Sequence, residues 1–295
     1  MRQAEDKVFI EGILSEIDLK EVTYNKNGAD VNALAGMVKV RVDDKDGTLE
    51  IPVHVFANEK TKAGGNNPGF ESIKRVMNEF TSIAAAGEDV ADRVRISGAS
   101  ITMNEYFDQN ENLISYPRIR GSFINKVKKD ELNPKAEFDT EIVIGNIIPE
   151  VDKDGVETGN LKIMGIIPQF GGKVDVVPFI AKNPNAVTFI NSSWKEGDTV
   201  KIHGKVNFTS KTESVFEEVA FGDPIEKKRT INISELVGTA GTYPLEGDLA
   251  FDAGEIRAAL AQRQADLEAN KAKSMARTKQ ASAPAQSGFG DGLGF

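Results

Sequence analysis

A chain of 295 residues with 36 basic and 45 acidic side chains carries a formal net charge of -9, and it contains no Cys and two His. These counts exclude disulfides, thiolate catalysis, iron–sulfur clusters, Cys-type zinc sites and a His-rich metal centre. The opening MRQAEDKVF has no apolar leader core and no run of 18 apolar residues follows, which argues against secretion and membrane passage; the acidic total argues against a whole-surface nucleic-acid binder but leaves room for a local basic patch.

In chain order, the first predicted strand is VFIEGILSEI, Val8 to Ile17, with Gly12 inside it. A hairpin follows from Gly36 to Ala57, turning at DDKDG, where Asp-Gly is a good turn pair. Val38, Val40 and Val42 alternate with Lys39 and Arg41, and Ile51, Val53 and Val55 alternate with Pro52, His54 and Phe56. That period of two gives one face to a core and the other to solvent or a ligand. The loop KTKAGGNNPG sets Lys60 and Lys62 among glycines, and an insertion over 68–90 predicts a helix from Phe70 to Ala86 with Ile73, Val76, Met77, Phe80 and Ile83 on one side. Arg93 and Arg95 then occupy the solvent parity of a strand ending near Ile101. Tyr106, Phe107, Tyr116 and Arg118 flank a predicted hairpin with the polar tip DQNEN, and KKDELNPKA reads as a linker.

The same order then recurs: a Gly-bearing strand (TEIVIGNIIPEV, with Gly145), a hairpin from Leu161 to Ala181 turning at QFGG, and a basic strand from Asp198 to Phe208. DRVRISG and DTVKIHG share the pattern acidic-x-V-[RK]-I-x-G, which points to an internal duplication. The stretch from Lys182 to Gly197, with the only Trp at Trp194, reads as a loop or one or two helical turns. Five or so strands per unit, with glycines where a strand must bend, fit a small curled barrel, and the helical insertion sits where an OB barrel has its helix before the fourth strand. The expected fold is mainly β: two tandem OB-fold barrels over 1–130 (helical insertion 68–90) and 131–226, an appendage over 227–250, a helix over 251–275 and a disordered, low-complexity tail over 276–295.

No phosphate loop, dinucleotide fingerprint, zinc-protease motif or nucleophile elbow occurs, so the expectation is a binding protein, not an enzyme, with no cofactor and no metal. Single strands are held by basic side chains that follow the backbone and aromatic rings that stack on bases. The first unit offers Lys39, Arg41, His54, Phe56, Lys60, Lys62, Arg93, Arg95, Tyr106, Phe107, Tyr116 and Arg118. The second offers Phe170, Lys173, Phe179, Lys182, Trp194, Lys201 and Lys205, with Trp194 either a stacking platform or a plug under the barrel. A separate docking element closes the chain: in GFGDGLGF, Phe289, Leu293 and Phe295 can enter a partner's pocket while Asp291 and the terminal carboxylate meet basic residues.

That tip, DGLGF, resembles the C-terminal tip of bacterial-type single-stranded DNA-binding proteins, although a Gly stands where that family has Pro and the acidic run is missing. VFIEGILSEI, the stretch TKAGGNNPGFESIKRVMNEF, and ISYPRIRGSF also resemble tandem-OB single-stranded DNA-binding proteins of bacteriophages of Gram-positive hosts, over about residues 8–225. The resemblance implies a phage-encoded protein of the host cytoplasm. Such a protein coats single-stranded DNA during replication or recombination and recruits a replication or recombination protein through its tip, with no membrane involved. The alternatives are an OB-fold structural or adaptor protein of a phage or replisome assembly that binds protein, and an accessory domain pair of a polymerase or helicase.

Overall fold

The alternating segments form long strands, seen in a computed structural model that describes residues 1–45, 47–108, 110–152, 154–217 and 225–281. The first half comprises β1 (Asp6–Lys26), β2 (Ala29–Asp44), β3 (Gly47–Asn58), α1 (Pro68–Glu79), α2 (Ile83–Ala86), β4 (Arg93–Phe107), β5 (Leu113–Arg120) and β6 (Phe123–Lys126). The second comprises β7 (Lys135–Val151), β8 (Glu157–Pro168), β9 (Val174–Ala181), α3 (Pro184–Ser193), β10 (Thr199–Glu217), β11 (Ile225–Gly241) and the long α4 (Ala253–Ala281). The residues read from sequence as an appendage thus supply β11, which pairs with both β10 and β9.

Two tandem barrels are not what these strands build. They hydrogen-bond into a single eleven-stranded sheet in the order β10-β11-β9-β8-β7-β1-β2-β3-β5-β4-β6, with β1–β4 and β7–β10 as additional pairings. The fold is a mixed, mainly-β sheet with a helical C-terminal region. The cause of the difference lies in β1, which is long enough to serve two partners: Asp6 to Glu11 pair with β7, and from Ile13 onward the strand pairs with β2. A strand left unpaired at the junction would expose a row of free amides and carbonyls, so pairing across it fuses the repeats. Gly12 marks the handover, where an added Cβ would lie 2.2 Å from the Arg41 carbonyl oxygen.

The duplication extends to the pairing scheme: each half has a first hairpin, a third strand, a helix, and a fourth and fifth strand, with the third and fifth strands parallel; the first half adds α2 and β6, which pairs with β4. Both first strands carry an irregularity at the same step, between Leu14 and Glu16 and between Ile144 and Asn146. Just beyond it Lys39 faces Pro52 in one half and Met164 faces Pro178 in the other. Both helices start on Asn-Pro: the side chains of Asn67 and Asn183 accept from Gly69 and Asn185 amides at 3.0 and 2.8 Å. The proline at the first helical position is pre-set for the turn. The predicted helix over Phe70 to Ala86 is broken after Glu79, because Phe80 and Ser82 are extended. Phe70, Ile73 and Val76 bury its apolar face, and one contiguous core of Ile, Val, Leu and Phe runs through both halves.

Candidate nucleic-acid interface

The outward residues of β1, β2, β3 and β5 meet in a groove of about 720 Å³ lined by Asp18, Lys20, Gly36, Met37, His54, Val55, Phe56, Arg118 and Arg120. Register explains the assembly: Asp18 faces Met37, Met37 faces His54, and His54 faces Arg120 across three successive ladders. Gly36 allows the first two strands to close, since it sits at φ 145° and a Cβ there would lie 2.0 Å from the Asp18 carbonyl oxygen.

Aromatic and cationic groups alternate along this face. Phe56 is 41% exposed, and its ring leans on Tyr24 with centroids 6.1 Å apart, while Tyr24 donates its hydroxyl to Asn58 at 3.0 Å. Tyr116 is 39% exposed, its hydroxyl accepting from Asn104 at 2.8 Å. Among the described residues Arg118 donates to neutral oxygens, Thr102 Oγ1 at 3.3 Å and Asn104 Oδ1 at 3.1 Å. Among the described residues Lys20 and Arg120 have no ion-pair partner. Burial, followed by the charge of Arg118, lowers the pKa of His54, so its imidazole is neutral at pH 7 and offers one donor and one acceptor. Tyr106 continues the same face along the β4–β5 hairpin, two residues beyond Asn104.

The structure therefore brings His54, Phe56 and Arg118 together in the groove, sets Tyr116 and Tyr106 further along the same face of the β4–β5 hairpin, and adds Lys20, Met37 and Arg120, which sequence reading passed over. Lys20 carried a readable signal, since it follows Asp18 at the strand period; Arg120 is two residues from Arg118 on the same strand. Other predicted residues are committed elsewhere. Lys39 is paired with Glu16, and Arg41 with Asp43 and Glu88, although both lie on the outward parity of β2. Arg93 donates to the Ala91 carbonyl, and Arg95 makes a two-pronged bond to Glu11. Lys60 bonds Asn66 within its own loop, where Lys62 is exposed, and Phe107 is half-buried with the Lys271 ammonium 5.8 Å from its ring.

In the second half the predicted residues do not share a face. Phe179 is fully buried and packs on Phe138 at 5.5 Å. Trp194 is buried, its indole donating to the Thr242 carbonyl at 2.9 Å, so it plugs the fold. Phe170, 79% exposed, and Lys173 occupy the β8–β9 turn, Lys182 pairs with Glu235, Lys201 pairs with Glu5, and Lys205 sits on β10 opposite Val237. Register identifies the second-half counterparts of the groove residues: Glu150 for Lys20, Ile180 for His54, Lys182 for Phe56, Glu235 for Arg118 and Val237 for Arg120. The same scaffold thus carries cations and a ring on one copy, and on the other two acids, two aliphatics and a lysine already paired with one of the acids. Phe289, Asp291, Leu293 and Phe295 lie outside the described residues.

Among the described residues no group of three His, Asp or Glu is placed to hold a metal, and no helix is long and apolar enough to cross a membrane. No curated protein matches the chain. Among solved structures, wild-type single-stranded DNA-binding protein from Thermus aquaticus is similar at 9% identity with a TM-score of 0.48, covering 86% of this chain and 99% of that one. A deletion variant of that protein is similar at 10% identity and a TM-score of 0.44 over the same shares. The family model described as YorF matches residues 5–273, and the chain belongs to the YorF family.

Proposed function

We propose that this protein binds single-stranded DNA through the outward face of its first half, with little sequence preference and no chemistry. The observation that carries the reading is the juxtaposition, in one groove, of Lys20, Arg118 and Arg120 with the exposed ring of Phe56, and the exposed ring of Tyr116 two residues before Arg118 on the same face of β5. Cations at the strand spacing meet successive phosphates, and rings stack on bases of any identity. The neutral His54 reads no charge and adds a polar contact. The overall charge of -9 does not oppose this, because most acids lie off the groove or are paired with cations. The setting implied by the sequence resemblance, coating of exposed strands during phage replication or recombination with a partner held by the C-terminal tip, belongs to the same proposal.

The test is titration of a fluorescent oligo-dT across salt, against matched duplex DNA and RNA. Three phosphate contacts set a slope of log affinity against log salt of about -2 for a single strand. Phe56→Ala should cost about 1–3 kcal/mol of binding, the worth of one stacked base. Absence of oligo-dT binding at low salt, or equal affinity for duplex, overturns the reading.

A further inference from the structure

We propose that the single strand leaves the groove past Arg120 and sets a further base in a second pocket, between β6 and α1, where it stacks on Phe123. The inference rests on the groove reading above. The pocket holds about 430 Å³, and its lining includes Asn66, Glu71, Ser72, Arg75, Phe123 and Asn125. Register connects it to the groove. β5 and β6 follow one register along β4, with Arg120 facing Ser100 and Phe123 facing Ser97. Pro117 and Ile119 are buried before Gly121, and Ile124 is buried after it, so the outward row changes parity at that glycine. The row then runs Tyr116, Arg118, Arg120, Phe123 and Asn125. The Gly121 amide donates to the His54 carbonyl at 3.0 Å, which ties the turn to the groove wall. Three residues on from Arg120, Phe123 lies at a Cα distance of at most about 11 Å.

The walls of the pocket are fastened to each other. The buried Ser72 hydroxyl accepts from the Ile124 amide at 3.4 Å, and the Lys126 ammonium donates to the Glu79 carbonyl at 3.1 Å, so α1 and β6 are joined at two points. The Phe123 ring is 41% exposed and rests beside Gly98, where a Cβ would stand 3.6 Å from it. Asn66 accepts from Lys60 at 2.7 Å, whereas the Arg75 and Asn125 side chains are exposed and, among the described residues, have no partner. An exposed ring, a guanidinium and two carboxamides fit one nucleotide: the ring under the base, Arg75 on a phosphate, the amides on the base edge. The Glu71 carboxylate only accepts, so it meets N–H groups and keeps phosphate to the Arg75 side. All four bases carry an N–H on the pairing edge, and in a duplex that edge is occupied. The pocket therefore takes any base that is unpaired. Its β6 wall belongs to the first half, the half that carries the groove.

The experiment titrates oligo-dT of about 4 and about 8 nucleotides, the second long enough to pass from the groove into the pocket, onto wild type, Phe123→Ala, Arg75→Gln and Arg118→Ala. Folding of each is checked by circular dichroism. Phe123→Ala should weaken the long strand about tenfold, within the worth of one stacked base, and the short strand by less than about twofold. Arg75→Gln should make the long-strand salt slope shallower by about 0.7, the share of one phosphate contact, and leave the short-strand slope unchanged. Arg118→Ala should weaken both lengths. Phe123→Trp reports the contact directly: the long strand should quench its emission, whereas the buried Trp194 keeps its emission when wild type binds. Equal losses at both lengths in Phe123→Ala, or no loss at either alongside a loss in Arg118→Ala, overturn the pocket and leave the groove standing. Long-strand binding to Phe123→Trp without quenching also overturns the pocket. Wild-type affinity for both lengths in Arg118→Ala overturns the groove reading itself. If Phe123→Ala does not fold, the Arg75→Gln slopes and the Phe123→Trp emission decide the question.

Discussion

Glu11 and Glu141 occupy equivalent places on the first strands of the two halves, are 1% and 3% exposed, and are each held by an arginine and a backbone amide. Burial raises their pKa values, but the Arg95 and Arg2 bonds, with the Asn133 and Glu5 amides, outweigh it and leave both below the ordinary carboxylate range. Asp6 is the opposite case: burial dominates over its bonds to Thr140 and Ile101, and its carboxyl is pushed up to about 7. The signs give a stability profile. A lowered pKa means the unfolded chain binds more protons, so the stability from Glu11 and Glu141 is present above about pH 4.3 and is lost as pH falls. A raised pKa means the native state binds more protons, so the stability from Asp6 is full below about pH 3.9 and is lost as pH rises through about 7. The melting temperature should therefore peak near pH 5 and decline toward pH 8. Asp6→Asn should flatten the alkaline decline and add about 1–2 kcal/mol at pH 8, part of the 1.4 kcal/mol per unit that the shift sets. A wild-type melting temperature unchanged between pH 5 and 8 refutes this assignment. The same residues show where reading by parity stops. Arg95 has the solvent parity of a phosphate-binding residue, yet its partner Glu11 is on a strand 84 residues away in sequence, and alternation within one segment does not reveal a cross-strand partner.

Helices were legible only in part at the element scale. The apolar stripe at Phe70, Ile73 and Val76 marks α1, but the sequence reading runs on through the extended break at Phe80. The ten-residue α3 (Pro184–Ser193) reads from sequence as a loop or one or two turns, although its Asn-Pro start is a local signal. Strand existence was legible because alternation is a local signal, as around Val38 and Val53. Strand partnership was not. β3 with β5 and β9 with β11 pair in parallel, and 227–250 reads as an appendage until β11, which takes up most of it, is seen flanked by β9 and β10. Such contacts join residues far apart in sequence and leave no periodic trace. Two substitutions separate local from long-range control. Asn67→Ala removes one cap and should cost about 1 kcal/mol in denaturant unfolding. Gly12→Ala puts a methyl group against the Arg41 carbonyl, where backbone must move, and should cost about 3 kcal/mol. Equal, small effects would mean that the β1 handover is looser than its geometry shows.

For the whole molecule, one scaffold repeated twice has been given two surfaces. The pairing scheme, the strand irregularities and the Asn-Pro helix starts recur, so the backbone framework is common to both halves. The outward side chains diverge, with Arg118 against Glu235, Arg120 against Val237, Phe56 against Lys182 and Lys20 against Glu150. Duplication was readable from segment order, whereas the asymmetry needed the register that aligns those positions. Under the proposed function it sets the stoichiometry. A short strand of about 8 nucleotides, within the span of one such module, should bind once per chain. Replacing Phe170 and Lys173 with Ala should leave that affinity unchanged. Transplanting the first-half set onto the second, as Glu150→Lys, Lys182→Phe, Glu235→Arg and Val237→Arg, should create a second site and raise the ratio to two strands per chain, read by titration calorimetry. If wild type already takes two short strands, the second half binds by another face, and the charge asymmetry does not decide where the strand lies.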